Sequence, residues 1–290
     1  MKKLVILLGV AGASLSAVFT RWSTAPALVL ALYRMALSAA IMAVPVLVRR
    51  RELAALTRRD VALCLVSGVF LGLHFTAYFA ALERTSIAAA VVLVDTEALF
   101  VALASAAVLG QRLPGKAWAA VALAFCGAAV VAMGDSAGGG ALAGDLIALS
   151  GAAAVAVYTM IGAVCRRRLS TEVYTFLVYL AASASLLAAA LVSGTPVTGH
   201  GGVNFLTALG MAVCCTLLGH NVFSWGLKYL PAAFISTAKL LEPVLAAVWG
   251  LLIFGERPGG ATLLGGAAVV GGIALYIRAS ASPEAERNQQ

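Results

Sequence analysis

Charge is what this sequence has least of. Only 11% of its 290 residues are Asp, Glu, Lys or Arg, while 62% are hydrophobic; soluble globular chains carry roughly a quarter charged residues. That composition excludes a water-exposed domain with a polar surface. Histidine is scarcer still, at three copies, and the five cysteines (Cys64, Cys126, Cys165, Cys214, Cys215) have no metal-ligand spacing. No metal and no cofactor are therefore expected, and the cysteines read as small apolar residues, all within apolar runs except Cys165 at the inner end of one. Phosphate-binding loops, zinc sets and nucleophile elbows are also missing. An intramembrane enzyme would need such a constellation, so catalysis is not expected.

Long apolar runs fill the space that charge leaves. Stretches of about 20 apolar residues recur along the chain, the length needed to cross a bilayer as a helix. Ten spans can be drawn, at about 3–20, 26–48, 61–82, 86–110, 116–133, 144–165, 173–193, 204–227, 232–254 and 260–278. Met1 to Ala17 has the outline of a signal peptide, but it is needed as the first span of the repeat described below, so cleavage is not expected. The expectation is an all-α membrane protein. Its residues 1–134 and 144–279 form two five-helix repeats, joined by a Gly-rich linker at 135–143 and followed by a disordered tail at 280–290. The Gly138-Gly139-Gly140 run in that linker is a flexible connection, not a phosphate cradle.

The net charge of +8 does not mark a nucleic-acid surface, because the basic residues sit in short loops. With the N-terminus inside, fifteen of the 20 Lys and Arg collect on the cytoplasmic side: Lys2, Lys3, Arg49, Arg50, Arg51, Arg58, Arg59, Arg112, Lys116, Arg166, Arg167, Arg168, Lys228, Arg278 and Arg287. Arg21, Arg84 and Arg257 face outside. This asymmetry predicts that both termini are cytoplasmic, and the expected location is the cell inner (cytoplasmic) membrane.

Shifting the chain by 145 residues aligns its halves. Glu97 falls on Glu242, Gly110 on Gly255, Arg112 on Arg257 and Gly127 on Gly272. Ala and Leu coincidences mean little in this composition, but a shared intramembrane Glu and a shared Gly-x-Arg do. Five spans per half is an odd number, so the second half must be inverted relative to the first, which places a substrate site near the midplane between them.

These residues also resemble a family. Gly255-Glu256-Arg257-Pro258 and its weaker twin Gly110-Gln111-Arg112-Leu113-Pro114 look like the repeated loop of the EamA family, in the drug/metabolite transporter superfamily. Pro26 to Arg34 followed by Arg49-Arg50-Arg51, Gly144-Asp145, and Tyr229-Leu230-Pro231-Ala232 are similar to it too. The resemblance implies ten helices as two inverted repeats around a central cavity lined mainly by spans three, four, eight and nine. It also implies transport, with export favoured. Asp95 and Glu97 depart from the mostly apolar or Pro-containing centre of span four in that family, and Ala98 stands where Pro243 stands in the other half.

Five charges lie within spans: Arg34, Asp95, Glu97, Lys239 and Glu242. Such residues are costly, roughly 2.5–3.5 kcal/mol each on insertion scales, and mark functional paths by default. Their formal balance is −1 (two positive, three negative), so one carboxylate is left to a proton, a substrate or water. Arg34 and Asp95 sit at matching depth and form the expected structural ion pair. Asp95 and Glu97, two residues apart on one helix, project about 200° from each other; the preferred split gives Asp95 to Arg34 and Glu97 to the cavity, with the reverse open because Arg34 is long enough to reach either. Lys239 and Glu242 share a helix face, as an internal salt bridge or as complementary charges for a zwitterion or proton. Pro243 removes the backbone partner of the Lys239 carbonyl.

His74 and His220 are near-equivalent in the repeat and could relay protons, although a buried His is often merely hydrogen-bonded. With Asn221, Tyr78 and Trp225 they form the candidate cavity wall. Ser14, Ser16, Ser150 and Tyr158 read as interhelical hydrogen bonders, and Tyr229 as an interfacial anchor. The expected function is secondary transport, as exporter, of a small polar metabolite such as an amino acid or of a drug-like compound, by alternating access and coupled to protons. An uncoupled facilitator is the rival within that class. A channel would show a continuous polar stripe, which the spans lack. Expected partners are a small-molecule substrate, protons and the bilayer, with the chain a monomer or, through the Gly265, Gly266, Gly271 and Gly272 face, a homodimer.

Overall fold

The computed structural model describes residues 1–82, 84, 93–108, 114–135, 142–255 and 259–280, and every regular element among them is helical. The first half holds α1 (Lys2–Ser14), α2 (Ser16–Trp22), α3 (Ala27–Val48), α4 (Arg50–Ala54), α5 (Arg58–Leu82), α6 (Glu97–Val108) and α7 (Gly115–Asp135). The second holds α8 (Leu142–Cys165), α9 (Thr171–Val192), α10 (Gly201–Gly210), a π-helical segment (Met211–His220), α11 (Asn221–Gly226), α12 (Ala232–Lys239), α13 (Glu242–Phe254) and α14 (Gly260–Ser280). Several expectations lie outside the described residues: the start of span four, Gly110 to Leu113, Gly138-Gly139-Gly140, Glu256-Arg257-Pro258 and the tail after 280.

Among the described residues, seven stretches are long and apolar enough to cross a membrane: Lys2–Trp22, Ala27–Val48, Arg58–Ala81, Leu146–Cys165, Thr171–Val192, Gly201–Gly226 and Ala232–Phe254. Shorter apolar stretches, Gly115–Gly127 and Leu263–Tyr276, lie within α7 and α14. Leu47, Val48, Leu191, Leu252 and Leu264 are exposed. In water that would be a defect; against lipid tails it costs nothing. The chain is a multi-pass helical membrane protein.

Prolines and one glycine set the helix edges. Pro26 and Pro231 precede α3 and α12, where a missing N–H leaves no ladder bond unmade. Gly255 ends α13 in the left-handed conformation at φ 71°, which is unstrained only without a Cβ.

Helix pairings repeat between the halves. α5 packs on α8 as α1 packs on the π segment, and α6 packs on α8 as α1 packs on α12 and α13. α3 meets α9, α6 meets α12, and α7 meets α14. The last contact is reciprocal: a Cβ on Gly127 would stand 2.6 Å from the Gly265 carbonyl, and one on Gly272 would stand 2.8 Å from the Ala120 carbonyl. Adding 145 to 127 gives 272, and adding 145 to 120 gives 265.

At the basic end, ion pairs and hydrogen bonds tie the loops together. Arg166 is fully buried and donates from Nε to the Ser224 carbonyl at 2.9 Å, from Nη2 to Thr171 Oγ1 at 2.6 Å, and to the Leu169 carbonyl. Arg168 pairs with Asp60 at 3.5 Å, and Glu52 accepts from the Ser170 N–H at 2.6 Å. Arg166→Met would strand two buried carbonyls and should cost about 2–3 kcal/mol. Unfolding by SDS titration in mixed micelles measures this, and a loss below the error of that titration would count against the clamp.

Candidate functional site

Two breaks in the helix ladder build the site. In the second half, α12 stops at Lys239, Leu240 and Leu241 form a turn, and α13 restarts at Glu242 with Pro243 in its first turn. The Leu240 and Leu241 N–H groups donate to Thr237 and Ala238 carbonyls at 3.2 and 3.1 Å, so the turn is tightened to i−3 bonds. In the first half the ladder is interrupted at Thr96. There the Thr96 N–H donates to the Leu93 carbonyl at 3.3 Å, and its hydroxyl donates to the same oxygen at 2.6 Å. Adding 145 to 96 gives 241, so the two breaks are equivalent in the repeat, although only one has a proline. Near such breaks the freed backbone is tolerable only against protein or a wet cavity.

Across the breaks, Lys239 Nζ donates to Glu97 Oε1 at 2.7 Å. The bridge joins α6 of the first half to α12 of the second. Glu97 is 1% exposed, and its other oxygen, Oε2, has no hydrogen-bond partner. Asp95 Oδ2 and Glu242 Oε1 are likewise buried and unpartnered. Asp95 acts electrostatically on Glu97, Lys239 and Glu242, and Glu242 on Arg34 as well, so these charges form one group.

Two sequence expectations need correction. Arg34 does not pair with Asp95: its Nε donates to Thr216 Oγ1 at 2.8 Å, and its guanidinium lies 5.0 Å from the Phe75 ring centroid. Asp95 instead belongs to the Lys239 group. The reason is the Thr96 break, which resets the 100° per residue that separated Asp95 from Glu97 on an unbroken helix. Lys239, for its part, takes Glu97 rather than Glu242, because the turn at Leu240 and Leu241 disrupts the shared face. Thr216→Val should leave the buried Arg34 Nε without its acceptor and cost about 1.5–3 kcal/mol in SDS unfolding; an unchanged midpoint would mean Arg34 finds another acceptor.

Other predicted wall residues gather here as well. His74 Nδ1 is 3.1 Å from the Gly151 carbonyl, and its ring stacks on Tyr78 at 6.3 Å and 9°. His220 lies 6.0 Å from the Phe75 ring and 5.9 Å from the Phe223 ring. Lys239 Nζ is 5.9 Å from the Phe223 centroid. Asn221 Oδ1 is buried and unpartnered, as is the Ser236 hydroxyl. Trp225 sits apart: it packs on Tyr229 at 4.9 Å, and Tyr229 carries Lys2 Nζ at 4.3 Å over its ring, the arrangement of an anchor at the basic end. Ser14 does serve between helices, accepting from Trp249 Nε1 at 2.8 Å.

Sequence reasoning missed Phe75, Phe223, Ser236, Thr216 and Thr96. Phe223 and Ser236 had a usable signal, being three residues from His220 and Lys239 and hence on the same faces. Tyr78, His220, Asn221, Lys239 and Glu242 remain partly exposed although they face the interior group. Intramembrane polar groups of this kind face a protein interior or a water-filled cavity.

Comparison with known proteins fits this architecture. The model of the EamA-like transporter family matches residues 2–133 and again 142–278. The pseudopaline exporter CntI of Pseudomonas aeruginosa is 27% identical over 253 residues, covering 86% of this chain and 85% of its own. An uncharacterized transporter of Archaeoglobus fulgidus is 25% identical over 210 residues, 72% of this chain and 74% of its own. A crystal structure 21% identical in sequence superposes with a TM-score of 0.82 over 100% of this chain and 99% of that one, a likeness of fold. The family model covers both halves and nearly every described helix: this chain belongs to the EamA-like transporter family of membrane transporters.

Proposed function

We propose that the chain is a secondary active exporter of a small polar metabolite, working by alternating access in the inner membrane. Ten spans form two inverted repeats, 1–134 and 144–279, with the basic loops and both termini in the cytoplasm. The repeated helix pairings, the reciprocal Gly127 and Gly272 contacts and the equivalent breaks at Thr96 and Leu241 support the two-fold relation. Export is supported by the pseudopaline exporter among the relatives.

The carrying observation is the Lys239–Glu97 bridge between the halves, at 2.7 Å, with unpartnered oxygens of Asp95, Glu97 and Glu242 around it. Unpaired buried acceptors are costly, and a site emptied on every cycle must leave its groups short of partners when empty. Glu242 is the partly exposed carboxylate of the three. It is the group through which protons are exchanged for substrate. His74, engaged by Gly151, and His220, between two rings, line that route.

In proteoliposomes, a proton gradient opposed to substrate movement should accelerate flux through the wild type, and Glu242→Gln should flatten the pH profile. An unchanged profile in the variant removes Glu242 from coupling. Wild-type flux indifferent to the gradient makes the protein a facilitator instead.

A further inference from the structure

The site's hydrogen-bonding inventory is lopsided. Its free groups are acceptors: Asp95 Oδ2, Glu97 Oε2, Glu242 Oε1 and Asn221 Oδ1, all buried and without partners. The Ser236 and Tyr179 hydroxyls are also buried without partners and can donate or accept, but the cationic donors and the His74 imidazole are engaged. Lys239 is bound to Glu97 Oε1, Arg34 Nε to Thr216, and His74 Nδ1 to the Gly151 carbonyl. Glu97 is 1% exposed and Asp95 9%, so water at the surface does not relieve them. A ligand that completes this set must donate several hydrogen bonds and carry positive charge.

Metal ions are positive but do not fit. Among the described residues no three His, Cys, Asp or Glu side chains come close enough to hold one. The walls point the same way, since Phe223 already carries the Lys239 ammonium over its ring and Phe75 the Arg34 guanidinium. Ring faces of this kind attract organic cations. An anionic group, by contrast, would meet three carboxylates and would have to break the Lys239–Glu97 bridge to find a partner.

We propose that the recognised part of the substrate is a protonated amine, whose N–H groups bind Asp95, Glu97 and Glu242 while its carbon substituents lie on Phe223, Phe75 and Tyr78. The proposal rests on the reading of this cluster as the transporter's substrate site. It narrows the polar or zwitterionic metabolite expected from sequence to one that enters amine first.

Full-length protein in nanodiscs, titrated calorimetrically with n-butylamine, phenylethylamine and tryptamine and with the alcohol and carboxylate isostere of each, tests it. At least one amine should bind about tenfold or more tighter than its isosteres, since a hydrogen bond to a charged group is worth that factor or more. Asp95→Asn and Glu242→Gln should each weaken that amine by about tenfold while leaving the alcohol unchanged. Isosteres binding as tightly as every amine, no amine binding, or amine binding indifferent to both substitutions would overturn the proposal. Counterflow of the same compounds in proteoliposomes separates the two claims. Flux of a carboxylate without amine binding sinks the amine and leaves transport standing; amine binding without flux of any compound sinks transport and leaves the amine site.

Discussion

Lys239→Ala should destabilise the protein by about 3–5 kcal/mol, the range for breaking one side of a buried pair. The substitution leaves Glu97 with both oxygens unpartnered at a position 1% exposed, beside Asp95 and Glu242. Among the described residues the other intramembrane cation, Arg34, is held by Thr216 and Ser16. A second variant separates folding from function. Lys239→Met with Glu97→Met removes both charges, keeps chain length and bulk, and should recover most of the loss, because buried pairs replaced by apolar residues are often neutral in stability. It should still transport nothing. SDS unfolding and proteoliposome flux on both variants check the pattern; full stability in the single variant would contradict a buried, uncompensated Glu97.

The α7–α14 contact carries the other large expectation. At Gly127 an added Cβ would stand 2.6 Å from the Gly265 carbonyl oxygen and 2.7 Å from Val269 N; at Gly272 it would stand 2.7 Å from Ala124 N. These are backbone atoms, which cannot swing aside as a side chain would, so the helices must separate. Gly127→Ala and Gly272→Ala should each cost about 1–3 kcal/mol through overpacking. The double substitution should cost less than the sum, because one separation relieves both. Gly271, where a Cβ meets nothing, is the control: Gly271→Ala should be neutral or stabilising by up to about 1 kcal/mol. If all three behave alike in SDS unfolding, the close approach is not what these glycines provide.

Composition and a 145-residue offset went far toward the helical membrane fold because they depend on backbone-level features: span length and glycine at close contacts. Gly127 and Gly272 were visible as repeat partners before their packing was. The residues of the candidate cluster stood out in the sequence, and their pairing did not. Eight of the charged and aromatic residues singled out (Arg34, His74, Tyr78, Asp95, Glu97, His220, Lys239, Glu242) act on a common electrostatic group. Which partner each takes was not readable. Pairing depends on azimuth, and one residue of helix is 100°. Pro243 announced the break in the second half; in the first half the same break is made by Thr96, whose hydroxyl folds back on the Leu93 carbonyl. Ala98, in the proline's place, gave no hint of it. Arg34 went to Thr216 on a π-helical segment, where wider turns rotate side chains away from their α-helical register.

The most direct test of a substrate site between the halves is counterflow in proteoliposomes across amines, amino acids, nucleosides and organic anions. The wild type and the Lys239→Met, Glu97→Met double variant are run side by side. The prediction is saturable flux of at least one solute through the wild type and none through a double variant that unfolds at the same SDS fraction. Equal flux through both proteins, or conversion of a solute into a new compound without flux, would contradict it.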